Sequence, residues 1–191
     1  MQTRQIVVGI DGSGTSLAAA HWAARDAARR KLDVHVVLAY EYAWHGAHFT
    51  TEPPAVAAAR TKAEQTVEAA ADEIRAAAPG VVVTSEAVRD RAAEALIRAG
   101  AEAEEIVVGS RGSGGFANLL LGSVGQQVAT HAPCPVVVVH DDADERAGQG
   151  PVVVGVDGSA SDENSVHLAF EAAASRGTSL VVVNAYTLPL V

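Results

Sequence analysis

The sequence is poor in residues that mark several protein classes, and each shortage excludes something. It holds one cysteine in 191 residues, Cys134, so neither an intrachain disulfide frame nor a cysteine-rich zinc site can form. Cys134 stands between Pro133 and Pro135 ahead of a valine run, with no partner thiol, and reads as a small buried hydrophobe. Aromatic residues make up 4% of the chain, and 14 basic residues face 23 acidic ones, a net charge of -9. No basic stripe is available to follow a nucleic-acid backbone, so nucleic acid is not an expected partner. No apolar run reaches the roughly 20 residues of a membrane span. The opening MQTRQIVVGI is strand-like and lacks a secretory pattern, so the expectation is a cytoplasmic protein without membrane contact. The turn after this first strand, GSGTSLAA, has no lysine and is not a P-loop. It also lacks the third glycine and the downstream acidic residue of a dinucleotide fingerprint.

What is present is a regular alternation. With 49% hydrophobic residues the chain can bury a substantial core. RQIVVGI, DVHVVLAY, VVVTSEAV, EEIVVGS and PCPVVVVH read as buried strands. Between them GTSLAAAHWAARDAARRK, capped by Ser13 or Thr15, the long PPAVAAARTKAEQTVEAAADEIRAAAPG, DRAAEALIRAGAEA and a short segment from Ser123 read as helices. Valine-rich runs separated by helices predict a parallel sheet covered on both faces, an open doubly wound α/β domain over residues 1–140.

An acidic, apolar-poor stretch, 141–150, then reads as a linker. Beyond it the chain repeats itself. Val7–Tyr40 aligns without a gap on Val153–Tyr186 with about fifteen identities, among them Asp11 and Asp157, His21 and His167, Tyr40 and Tyr186. Residues 151–191 therefore read as a partial second repeat, strand, helix and strand, without a glycine loop of its own. Two strands and one helix leave edges unpaired, so this segment is expected to dock on the first domain, to swap with another chain, or to belong to a shortened tandem protein.

The run GSRGSGGFANLLLGS lies between the fourth strand and the last helix. Glycines let backbone N–H groups approach an anion closely at positive φ, and the following helix adds unpaired donors and a positive dipole end. Gly109 ends the strand where a side chain would intrude on a ribose or first phosphate, and Gly112 lets the loop fold over the phosphates. Gly122, Ser123 and Val124 open the helix and offer N–H groups and a hydroxyl to terminal phosphates. Asp11, at the end of the first strand, faces the same crevice and suits a sugar, an adenine edge or a magnesium ion; it is also a credible turn residue in IDGS. Arg111 is either an added phosphate contact or a solvent-facing side chain.

VVGIDGS, the pattern of Gly109 and Gly112 followed after nine residues by Gly122 and Ser123, and the closing APCPVVVV together resemble the universal stress protein family. The likeness covers residues 1–140 and, in part, 151–191. It implies the ATP-binding branch, with an adenine nucleotide alpha hydrolase-like fold of sheet order 3-2-1-4-5 and the nucleotide across the carboxyl ends of strands one and four. It also implies Asp11 at the nucleoside end, Ala39 beside adenine, and Val108 with the loop residues in the site.

ATP, with Mg2+, is thus the expected cofactor, and a nucleotide-dependent regulatory protein with little turnover the expected function. No dedicated base is evident for phosphoryl transfer. The alternatives are a slow ATPase or autophosphorylating phosphotransferase, and a nucleotide-independent dimerisation module using the edge strand at 135–139. His45 and His48, with Glu41 and Glu52 near, form at most a weak zinc pattern and read as exposed loop residues.

Overall fold

The computed structural model describes residues 4–41, 53–112, 121–140, 150–160 and 162–186. The chain divides into two compact units, Met1–Asp144 and Glu145–Val191.

In the first unit β1 (Gln5–Gly9), α1 (Gly14–Arg30), β2 (Asp33–Ala39), α2 (Pro54–Ala77), β3 (Val83–Val88), α3 (Ala92–Ala99), β4 (Glu105–Gly109), α4 (Ser123–His131) and β5 (Val136–Val139) follow in sequence. The strands form one parallel sheet of order 3-2-1-4-5. The order reverses between β1 and β4, where Ile6 pairs with Val34 on one side and with Glu105 on the other.

Both faces of the sheet are buried, which is why the strands are valine runs and not alternating patterns. Ile6 and Val8 face a layer built from α1 and α2, while Val7 faces the layer of α3 and α4. On α1, Ala19, Ala20, Ala23, Ala24 and Ala27 are fully buried, and their small side chains bring the helix close to the sheet. Ser13 is the N-cap of α1 and accepts from the Ser16 N–H; the helix stops at Lys31, in the left-handed conformation with φ 56°, where the Leu32 N–H returns to the Ala27 carbonyl at 3.0 Å.

Three boundaries differ from the sequence expectation. β3 starts at Val83, because the Val81 N–H closes a turn onto the Ala78 carbonyl with Gly80 at φ 109°. α3 ends at Ala99 and tightens into a 3-10 turn, Gly100–Glu102. A Cβ on Gly100 would meet Ile106 Cδ1 at 2.5 Å, so this turn is pressed against β4. β5 spans only Val136–Val139, since Pro133 and Pro135 have no N–H for a ladder; the Pro135 carbonyl still accepts from Ile106 at 2.9 Å.

At the amino end of β4, Asp26, Glu105 and Arg30 form a buried charged cluster, with Arg29 beside it. Arg30 reaches Asp26 at 3.0 Å and Glu105 at 2.9 Å. Burial pushes the Glu105 carboxyl above its ordinary value; the Arg30 guanidinium opposes the rise and the Asp26 carboxylate adds to it.

The second unit contains β6 (Val152–Val156), α5 (Asp162–Arg176) and β7 (Leu180–Asn184). The strands are parallel and pair Val152 with Leu180, the positions that the sequence alignment equates with Ile6 and Val34.

Candidate functional site

A cavity of about 520 Å³ opens at the carboxyl ends of β1 and β4, within the size range of small-molecule sites. The switch point makes it: the chain leaves β1 toward α1 on one face and leaves β4 toward α4 on the other, so the two loops diverge and a crevice remains between them.

The wall toward β2 and α3 is apolar, from Val37, Ala39, Ala92, Leu96 and Val108. The wall toward α4 is mostly backbone, from Gly109, Gly112, Gly122 and Gly125, with Ser123 and Val124. Asp11 and Arg111 are the charged side chains among the described lining residues. The structure thus brings Asp11, Ala39, Val108, Gly109, Arg111, Gly112, Gly122, Ser123 and Val124 to one cavity.

The turn after β1 is held by its own hydroxyls. The Ser13 N–H donates to Asp11 Oδ1 at 3.0 Å and the Ser13 hydroxyl to the same oxygen at 2.6 Å. Asp11 is therefore a turn residue and a cavity residue at once, as both sequence readings of it allow. The Asp11 N–H donates to Ser16 Oγ at 3.4 Å, and this hydroxyl donates to the Ser13 carbonyl at 2.9 Å. The hydroxyl of Thr15 donates to the Arg111 carbonyl, which clamps the start of α1 to the loop after β4. At the base of that loop the Ser110 N–H donates to the Val139 carbonyl at 2.7 Å, and the Gly122 N–H to the Ser110 carbonyl at 2.8 Å. The two ends of the glycine loop are thus fastened together, and the start of α4 is delivered to the end of β4.

The loop glycines are needed for other reasons than the sequence suggested. Among the described glycines positive φ occurs at Gly12, Gly80, Gly158 and Gly177, and not at Gly109, Gly112 or Gly122. Gly109 is steric: a Cβ there would lie 2.8 Å from the Thr15 carbonyl carbon and 2.9 Å from its oxygen. Its missing side chain makes room for α1. A Cβ on Gly112 would lie 2.7 Å from Asp11 Oδ2, so this glycine makes room for the carboxylate. Gly122 is roomy, with nothing nearer than 3.6 Å, and as the N-cap of α4 it brings no capping side chain. The first-turn N–H groups of α4 thus lack a side-chain cap and stand at the cavity with the positive end of the helix dipole.

Sequence reasoning missed Ser16, Leu96, Ala92 and Val37 as cavity residues, and took Thr15 only as a candidate cap, not as the clamp on the loop. Ser16 and Thr15 carried a signal, being two buried hydroxyls in the first turn of an alanine helix. Leu96, Ala92 and Val37 carried none, since any buried helix or strand shows such residues. Ser113, at the start of SGGF, and His45, His48 and Glu52 lie outside the described residues. Among the described residues no cluster of three or more His, Cys, Asp and Glu side chains could hold a metal ion, and no helix is long and apolar enough to cross a membrane.

An open five-stranded parallel sheet with a half-apolar, half-glycine cavity at its switch point defines a doubly wound α/β protein, and the cavity lies where this topology favours a small-molecule site. The universal stress protein family model matches residues 2–140, and the chain belongs to that family. It is similar to the Mycobacterium tuberculosis universal stress protein Rv2623, with 36% identity over 202 residues, covering 95% of this chain and 63% of that protein. A second relative in the same organism, Rv2005c, is 37% identical over 191 residues, covering 95% and 64%. The chain therefore spans less than two thirds of the length of these relatives.

Among solved structures, a universal stress protein from Archaeoglobus fulgidus DSM 4304 shares the fold over 98% of this chain and 69% of its own, at 20% identity and TM-score 0.72. A universal stress protein in complex with cAMP covers 74% of this chain and all of its own, at 27% identity and TM-score 0.56. One from Archaeoglobus fulgidus in complex with dAMP covers 73% and 99%, at 23% identity and TM-score 0.54.

Proposed function

We propose that the first unit binds an adenine nucleotide, ATP with Mg2+, and acts as a stress-response regulator whose occupancy, more than turnover, is its output. The observation that carries this reading is the division of the cavity into an apolar wall and a glycine wall ending on an uncapped helix N-terminus. A planar base is desolvated favourably among Val37, Ala39, Leu96 and Val108. Phosphates are matched by backbone N–H groups at Gly112, Ser123 and Val124, with Arg111 a charged partner; the Gly122 N–H, expected from the sequence to join them, is taken by the Ser110 carbonyl. Asp11 also lines the cavity, and its carboxylate can accept from ribose hydroxyls or share a cation with the phosphates. The complexes of two structural relatives with cAMP and dAMP support the adenine end of this assignment.

Little turnover is expected. Asp11 already accepts two hydrogen bonds from Ser13, and the other described polar groups around the cavity are donors or neutral hydroxyls. None is poised to activate water. Among the described residues β5 pairs with β4 alone, so its outer edge is a natural seam for a homodimer. Residues 151–191, as a partial repeat, would then dock on or swap with another copy.

The test is mass spectrometry of the protein as purified, followed by calorimetry with ATP, AMP and adenosine in the presence of magnesium. Co-purified adenine nucleotide, or micromolar binding that needs both base and phosphate, is expected. Binding of none of the three would overturn the assignment. Release of ADP from labelled ATP above a Gly122→Ala control would instead favour the slow-ATPase reading.

A further inference from the structure

The two units contain the same strand-turn-helix junction, and the junctions differ in charge at one position. In the first, the Asp11 N–H donates to Ser16 Oγ, five residues on. In the second, the residue five after Asp157 is Asp162. The Asp157 N–H donates to its carboxylate at 3.1 and 3.3 Å, and the Gly158 N–H at 2.7 Å. The correspondence is geometric as well as sequential. Both turns place glycine at positive φ, Gly12 at 80° and Gly158 at 87°, and both fold a serine N–H, of Ser13 or Ser159, onto the aspartate carboxylate.

Ser16 is 3% exposed and lines the cavity. A hydroxyl there is neutral and takes the Asp11 N–H weakly, at 3.4 Å. A carboxylate takes two N–H groups of the turn and places a full negative charge at the same point, as Asp162 does. We infer that position 16 selects the charge of the ligand: serine admits an anion to the cavity, and aspartate, as at 162, consumes the turn's donors and repels one. This rests on the nucleotide reading of the first unit. It adds that the junction of the second unit is closed to nucleotide phosphates by its own residue, independently of any glycine loop.

The test is made in the full chain with Ser16→Asp and with Ser16→Asn, which has the same shape without the charge. An acidic residue in the first turn suits the helix dipole of α1, so Ser16→Asp is expected to fold, as circular dichroism will show. In about 50 mM salt, calorimetry should show ATP and AMP binding weakened by on the order of tenfold or more in Ser16→Asp, with adenosine within about threefold of wild type. Ser16→Asn should stay within about threefold for all three ligands, and the ATP loss in Ser16→Asp should shrink as salt is raised. Equal ATP affinity in folded Ser16→Asp and Ser16→Asn would overturn the inference alone. Wild-type protein that binds none of the ligands would overturn the nucleotide reading, and this inference with it. If Ser16→Asp does not fold, Ser16→Glu against Ser16→Gln supplies the same comparison, and equal affinities there are equally fatal.

Discussion

A Cβ built on Gly109 would stand 2.8 Å from the carbonyl carbon of Thr15, ninety-four residues earlier in the chain. The end of β4 and the first turn of α1 are therefore in backbone contact, and the width of the cavity beside them depends on the absence of one methyl group. Gly109→Ala should lower stability by about 1–3 kcal/mol, the range for overpacking against unyielding backbone. It should also weaken nucleotide binding, because α1 and its turn must move. Thermal melts and calorimetry on one preparation check both; wild-type values for both would show that α1 gives way freely.

Gly122 supplies the contrast within the same motif. A Cβ there has ordinary van der Waals space, so Gly122→Ala should fold with a loss under about 1 kcal/mol, the scale of an N-cap change. Gly122→Ser should stabilise α4 by a few tenths of a kcal/mol to about 1 kcal/mol. Its hydroxyl would cap the N–H groups assigned to phosphate, so ATP affinity should fall while melting temperature rises. A serine variant in which both rise would contradict that assignment.

The clamp between Thr15 and the Arg111 carbonyl predicts a different signature. Thr15→Val keeps the shape and removes the donor, leaving a carbonyl unsatisfied at a partly buried site, at a cost of about 1–3 kcal/mol. Hydrogen exchange should rise in the loop after β4 more than in the centre of the sheet. Uniform exchange across both would show that the loop is held by something else.

Asp11→Ala removes the acceptor of the Ser13 N–H and hydroxyl and a carboxylate that lines the cavity. ATP binding should weaken by about 1–3 kcal/mol, measured by calorimetry. Asp11→Asn keeps an acceptor for Ser13, so it separates the turn from the charge. If magnesium dependence survives in Asp11→Asn, the carboxylate is not the cation's partner.

The buried cluster at the opposite end of β4 predicts a pH dependence unrelated to the cavity. Glu105 is held above its ordinary value of 4.5 by burial, so it binds its proton more tightly folded than unfolded. Its contribution is fully present below about pH 4.5 and is lost as pH rises through the higher folded value. Glu105→Gln should therefore gain on wild type in melting temperature from about pH 4.5 toward pH 8. A constant difference across that range would mean that Arg30 neutralises the carboxylate fully.

Much of this was legible before the fold was known. RQIVVGI and EEIVVGS announce strands buried on both faces, because only a strand covered twice can be valine throughout. The glycine spacing around 109–123 marked the loop, and the identities between Val7–Tyr40 and Val153–Tyr186 marked the repeated junction. The glycines' reasons were not legible. Gly109 and Gly112 look like flexible phosphate-loop residues, yet Gly109 makes room for Thr15 in the first turn of α1 and Gly112 for Asp11 in the turn after β1. Leu96 looks like any core residue of an amphipathic helix, and only the placement of α3 turns it toward the cavity.

By itself, then, the sequence determined the alternation of strands and helices, the loop that follows β4 and the aspartate that follows β1, because burial period and turn chemistry are local properties. The tertiary structure decided which neighbour buries each face, why three glycines of one motif differ in need, and that Ser16 lines the same cavity as Asp11. Those depend on contacts between segments far apart in the chain, and a periodic pattern reports that a face is covered without saying by what.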